Sequence, residues 1–396
     1  MNNKTPEAQI ATWQENNKSM EAAWQSVANN PAPKKIQVID DTMKADTAYK
    51  LVCEGTALLW RGDFQNAKHM AQAISRRIDN RTTKPKAKNK QTKQKATNTA
   101  PSPKDQFHLY RKGQIERART LGMLLVELSG DYTLPYNRAP DIVGACEHAY
   151  GKSTSHKTRL VSLREILGLI GAYEWHKKGV EVSQLGVTIT PSYGVYSPVR
   201  GEYVELVNNA SLENVSVAFD IGTGTGVLAA NLAKRGVKKI IATELESRAL
   251  VCAKNNIQKL GFADQVKIVG ADLFPPTDAG LADLIVCNPP WLPAKANTPI
   301  EYAVYDPDSK MLKGFLNGVK THLAIKGEAW LILSDLAEHL GLRTSEELQS
   351  WIQAAGLVVI EKLDIKPKHP KSQDASDALA AARTKEVTSL YRLQVV

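Results

Sequence analysis

"VSVAFDIGTGTG", residues 215–226, sets an apolar run against one acid and three glycines spaced two apart. The run over 215–221 is short, β-branched and aromatic, which predicts a buried strand. Gly222, Gly224 and Gly226 let the backbone turn tightly and come close to a ligand, and a helix predicted over 226–234 puts its N-terminus just behind them. A dinucleotide fingerprint would need its third glycine at position 227, which is Val227. The pattern is therefore acidic-x-G-x-G-x-G, with Asp220 at its head and Thr223 inside it. Asp220 is a poor match for an anion and a good one for the ammonium of an amino-acid-like ligand.

Working outward, the same texture repeats. "KKIIATEL" (238–245), "VKIVGAD" (266–272), "DLIVCNPP" (283–290) and "EAWLILSD" (328–335) read as further strands. "LVVIEKLDI" (357–365) and "VTSLYRLQVV" (387–396) close the chain as two more. Helices are predicted between them over 247–261, 309–324 and 344–356, the last opening on a capping-box pattern of Thr344 with Glu347. This alternation predicts an α/β fold with a Rossmann-like seven-stranded sheet, mostly parallel and covered on both faces. The final pair is expected to include one antiparallel edge strand.

In such sheets ligands sit at the carboxyl ends of the strands. Glu244 ends the second strand, where a carboxylate can accept both hydroxyls of a ribose. Asp272 follows the third, placed to receive the amino group of an adenine edge. The fourth strand stops at Asn288, Pro289, Pro290 and Trp291. Prolines end a strand because they cannot donate to the ladder, but that leaves Asn288 and Trp291 unexplained. An exocyclic amino nitrogen is a poor nucleophile because its lone pair is delocalised. The Asn288 side-chain oxygen and the Pro289 carbonyl can accept its two N–H bonds and leave the lone pair free to attack. The prolines stiffen that backbone, and Trp291 offers a flat face for stacking.

Together these motifs resemble the class I S-adenosylmethionine-dependent methyltransferases over roughly half of the chain. "DIGTGTG" looks like the family's first motif, Glu244 its ribose acid, Asp272 its adenine acid and "NPPW" its fourth motif, where Tyr or Phe is commoner than Trp. The upstream "YGVYSPVRGEYVEL" (193–206) resembles a segment found in the small-domain rRNA guanine methyltransferases and in the HemK-type glutamine methyltransferases. The resemblance implies a catalytic domain over 185–396 with S-adenosyl-L-methionine as cofactor. It also implies that Tyr196 and Arg200 fold over that cofactor. Arg200 has the alternative of a bridge to Glu202 or Glu205.

Residues 1–80 read as a helical region, with Ile10, Trp13, Met20 and Trp24 on one helical face, and 105–184 as a helical domain. Between them, 81–104 is rich in lysine and free of acids, and reads as a basic disordered linker. Its Lys84, Lys86, Lys88, Lys90, Lys93 and Lys95 form a candidate nucleic-acid-binding arm. The net charge of +10 favours a polyanionic partner.

RNA or the ribosome is the expected partner, and guanine N2 or adenine N6 the expected acceptor. A protein glutamine is the alternative acceptor, because a side-chain amide suits the same Asn-Pro-Pro arrangement. A non-catalytic methyltransferase-like binding module is the third reading. The four scattered cysteines form no C-x-x-C pair, so neither a metal site nor a disulfide framework is expected. No membrane-spanning stretch is present, and a cytoplasmic location is expected.

Overall fold

The structure is a computed structural model that describes residues 9–83, 101–368 and 377–396. It divides into two compact units, Met1–Ala100 with His108–Glu174, and Pro101–Phe107 with Trp175–Val396.

The first unit corrects the helical reading of the N-terminal half. It holds a six-stranded sheet built from β1 (Ile10–Glu15), β2 (Lys18–Gln25), β3 (Ile36–Ile39), β4 (Ala57–Trp60), β5 (Leu124–Leu128) and β6 (Arg159–Ser162). Their order is β1-β2-β6-β5-β4-β3, so strands from both sides of 81–104 join one sheet. Residues 10–25, expected as a helix, are an antiparallel hairpin in which Glu15 faces Lys18 across Asn16 and Asn17. Both asparagines have positive φ, 51° and 59°. That is the backbone a two-residue turn demands when it matches the twist of its strands, and asparagine tolerates it. Ala11 and Trp13 are buried while Ile10 is 52% exposed, a period of two that outweighs the partial helical spacing. Helices do flank the sheet, notably Ala45–Cys53 and Phe64–Thr83, and Met70 and Ile74 of the latter are buried. Ala57 and Leu58 are also core, but as part of β4.

The second unit begins with a short hairpin, β7 (Val180–Val182) with β8 (Val187–Ile189). Seven strands follow: β9 (Val217–Ile221), β10 (Lys239–Glu244), β11 (Val266–Gly270), β12 (Ala282–Cys287), β13 (Leu323–Ser334), β14 (Leu357–Ile365) and β15 (Thr388–Val395). The sheet order is β11-β10-β9-β12-β13-β15-β14. β15 is antiparallel to both neighbours, and the other pairs are parallel. The antiparallel strand is thus not the edge, as expected, but is inserted next to it. β15 slots between β13 and β14, which leaves β14 outermost.

Alternate residues feed two cores. Ala218, Leu284, Val286 and Trp330 pack with helices Glu202–Asn209 and Val227–Lys234 on one face. Phe219, Ile285, Cys287 and Leu331 pack with Lys310–His322 and Ser345–Ala354 on the other. Burying each such aliphatic or aromatic side chain contributes about 1.5–3 kcal/mol, so both faces must be covered. The last of those helices carries the expected reciprocal cap between Thr344 and Glu347.

Two parallel pairings place the site. β9 lies between β10 and β12, with Ile221 opposite Thr243 on one side and Cys287 on the other. The carboxyl ends of β9, β10 and β12 therefore meet where the chain order reverses.

Candidate active site

The glycine loop leaves β9 through Gly222, Gly224 and Gly226 at φ values of 71°, 57° and 83°. A side chain in that region strains the backbone, which is why the loop is written in glycine. At Gly224 a Cβ would meet nothing within 4 Å, so the loop borders open space beside Glu244. At Gly222 it would lie 2.6 Å from the tip of Met311.

Asp220 holds this loop from beneath. One carboxylate oxygen accepts from the Thr223 hydroxyl at 2.6 Å and from the Ala229 backbone N–H at 3.0 Å. The group is 1% exposed. Burial pushes its pKa up to about 6; the Thr223 and Ala229 bonds oppose the rise and the nearby Glu244 charge adds to it. Asp220 and the Thr223 side chain are thus engaged with each other and with the first turn of the helix. Their visible work is to shape the loop.

Glu244 closes the other wall. Oε2 accepts from Gly224 N at 3.0 Å, and Oε1 from the N–H groups of Leu245 and Glu246 at 2.8 and 3.0 Å. Three backbone donors fix this carboxylate before any ligand arrives. Asp272 is exposed just past the end of β11, whose Gly270 pairs with Glu244. The three expected cofactor elements therefore line successive strand ends.

Asn288 leaves β12 directly after Cys287, which lies beside Ile221 of β9. The Cys287 thiol is fully buried, and burial drives its pKa well up, so it is no nucleophile. The Trp291 indole N–H donates to Asn288 Oδ1 at 2.9 Å. One of the Trp291 ring faces is covered, with the Arg200 guanidinium carbon 5.0 Å from the ring centroid. The loop beyond is stapled by Asp306. Its backbone N–H donates to Leu292 O at 2.8 Å, and its carboxylate accepts from Met311 N and Leu312 N at 2.9 and 3.1 Å. Asp306 was not foreseen, although an acid shortly before a helix start is a capping signal.

Arg200 takes the bridging alternative, in part. Its Nε donates to Glu202, as allowed for, and both terminal nitrogens approach Glu386 Oε1 at 3.1 Å. Glu205 instead pairs with Lys368. Two carboxylates on a half-buried guanidinium offset its desolvation. Tyr196 sits near the same charges, and burial raises its pKa. Lys84, Lys86, Lys88, Lys90, Lys93 and Lys95 lie outside the described residues. Among the described residues no cluster of metal-ligating side chains occurs, the four cysteines are free thiols, and no helix is long and apolar enough to cross a membrane.

Sheet order, glycine loop and paired strand-end acids form the arrangement that the resemblance to class I S-adenosylmethionine-dependent methyltransferases leads one to expect. Residues 189–353 match the family model described as the methyltransferase small domain.

Among curated relatives, the chain is 31% identical to a putative protein N5-glutamine methyltransferase of Methanocaldococcus jannaschii, over 31% of this chain and 59% of the relative. It is 29% identical to the tRNA1(Val) (adenine(37)-N6)-methyltransferase of Bacteroides thetaiotaomicron, over 35% and 60%. It is 28% identical to the release factor glutamine methyltransferase of Cereibacter sphaeroides, over 46% and 65%. The chain thus spans less than two thirds of each of these relatives.

Proposed function

We propose that the protein transfers a methyl group from S-adenosylmethionine to an exocyclic amino nitrogen of an RNA base, guanine N2 or adenine N6. The observation that carries this reading is the position of Asn288, at the end of β12 and one strand over from the glycine loop of β9. The residues fit the cofactor. The open space at Gly224 and the preordered Glu244 carboxylate suit a ribose, and Asp272 suits an adenine amino group.

S-adenosylmethionine supplies an electrophilic methyl on a sulfonium. The chain's own residues bind and aim. Asn288 Oδ1 already accepts one bond from Trp291, and its second lone pair accepts a substrate N–H. The Pro289 carbonyl takes the other N–H, so the nitrogen lone pair faces the methyl group. The N–C bond forms as the S–C bond breaks, and the nitrogen then sheds one proton. Such a transfer depends on orientation more than on a strong base.

Support for RNA comes from the +10 charge and the lysine-rich stretch. The loop after the motif also exposes Ile300 and Tyr302, by 47% and 67%, as apolar surface for an unstacked base. A protein glutamine is the second reading, favoured by the names of two relatives and compatible with the same Asn288 geometry.

The test is transfer of radiolabelled methyl into an extract of cells lacking the protein, followed by nuclease or protease digestion. Label released by nuclease, and falling as salt is raised, is the expected result. Label released only by protease would move the glutamine reading into first place.

A further inference from the structure

Five side chains drawn from four separate stretches of the sequence form one relay behind Asn288. Glu386 is 2% exposed, and its Oε1 accepts from Ser334 Oγ at 2.8 Å and from both terminal nitrogens of Arg200 at 3.1 Å. Glu202 accepts from Arg200 Nε. The guanidinium so held lies over the Trp291 ring at 5.0 Å, and the Trp291 N–H donates to Asn288 Oδ1 at 2.9 Å.

The direction of that last bond matters chemically. A terminal amide can turn over and exchange its oxygen for its NH2 group. Turned over, Asn288 would point donors at a substrate N–H, and the lone pair would not be presented. An indole nitrogen donates and cannot accept, so Trp291 tolerates only the orientation that keeps Oδ1 in place. A Phe at this position could not make that selection. The indole in turn needs a fixed plane, and a guanidinium tied to two carboxylates supplies one.

We propose that Arg200, anchored by Glu386, is a positioning residue that sets Trp291 and thereby the orientation of the Asn288 amide. The inference rests on the N-methyl transfer reading for its catalytic consequence. The indole hydrogen bond can be followed without turnover.

The test uses the full-length protein with Arg200→Met, Glu386→Gln and Trp291→Phe. The Trp291 indole N–H resonance is assigned by its loss in Trp291→Phe, and its exchange with solvent deuterium is timed. S-adenosylhomocysteine binding is measured by calorimetry as a check of the cofactor site. Exchange is expected to quicken roughly tenfold in Arg200→Met and by less in Glu386→Gln. The dissociation constant of S-adenosylhomocysteine should stay within about twofold. On RNA from cells lacking the protein, kcat should fall roughly tenfold in Arg200→Met and in Trp291→Phe with KM little changed. The double variant should be no worse than the lower single one, because both cut the same relay.

Unchanged exchange in Arg200→Met would overturn the proposal. So would a rise in KM alone, or additive losses in the double variant. If Arg200→Met loses S-adenosylhomocysteine binding, Glu386→Gln, which keeps shape and removes charge, decides by the same exchange criterion. If the wild type labels neither RNA nor protein, the functional reading fails, and the exchange comparison still decides the relay.

Discussion

Glu244 and Asn288 stand on strand ends either side of the glycine loop, and the division of labour between them is open to a quantitative test. Glu244→Ala removes a carboxylate already fixed by Gly224 N, Leu245 N and Glu246 N at 2.8–3.0 Å. Two ribose hydroxyls donating to that group make charge-assisted bonds worth roughly 1.5–3 kcal/mol each. The site is half-exposed and water replaces part of the loss, so about 3 kcal/mol is expected, or about 150-fold in the cofactor's dissociation constant. Asn288→Ala touches the acceptor nitrogen and not the ribose. Its binding constant for S-adenosylhomocysteine should stay within about twofold, while single-turnover methyl transfer falls roughly 10²–10³-fold, the usual cost of one preorganised polar group at a reacting centre. Calorimetry measures the first quantity, and rapid-quench transfer of labelled methyl the second. Equal loss of cofactor binding in both variants, or the reverse pattern, would refute this assignment of roles.

Two further outcomes follow from the same geometry. The Asp220 carboxyl has an ordinary pKa of 3.8 and a folded one of about 6. Between those values the folded state keeps a proton that the unfolded state has lost, so this group's contribution to stability falls as pH rises from about 4 through 6. At 1.36 kcal/mol per pH unit the gap is worth about 3 kcal/mol. In urea unfolding, the stability of wild type relative to Asp220→Asn should therefore fall between pH 4 and pH 7, and a pH-independent difference would show that burial is not the cause. Gly224→Ala places a side chain at φ 57° where nothing in the protein lies within 4 Å. It should cost about 1–2 kcal/mol of stability from strain alone but weaken S-adenosylhomocysteine binding more than tenfold by filling cofactor space. A binding constant within twofold of wild type would mean that the open space beside Gly224 is not where the ligand lies.

What could be read without coordinates is what local physics writes into neighbouring residues. The seven strands of the large sheet were legible because each is a short apolar run bounded by turn residues, whereas the β7–β8 hairpin was not read, β7 lying within the segment expected as helical. The placement of the candidate site was legible because Gly222, Glu244 and Asn288 each stand at the end of such a run. Where two local signals competed, the weaker one misled. Residues 10–25 carry aromatics at a partly helical spacing, yet Asn16-Asn17 between Glu15 and Lys18 marks a hairpin, and the turn prevailed.

Other features are properties of contact alone. The last strand inserts between β13 and β14 because pairing partners are chosen in three dimensions, after the chain has returned across the sheet. Arg200 and Glu386 are 186 residues apart, and no spacing in the chain announces that they share an ion pair beneath Trp291. The sequence by itself determined which polar groups the strand ends carry, since residue type and local backbone suffice for that. Only the tertiary structure decided how the Asn288 amide is held, because its orientation depends on burial and on partners that meet nowhere but in the folded state.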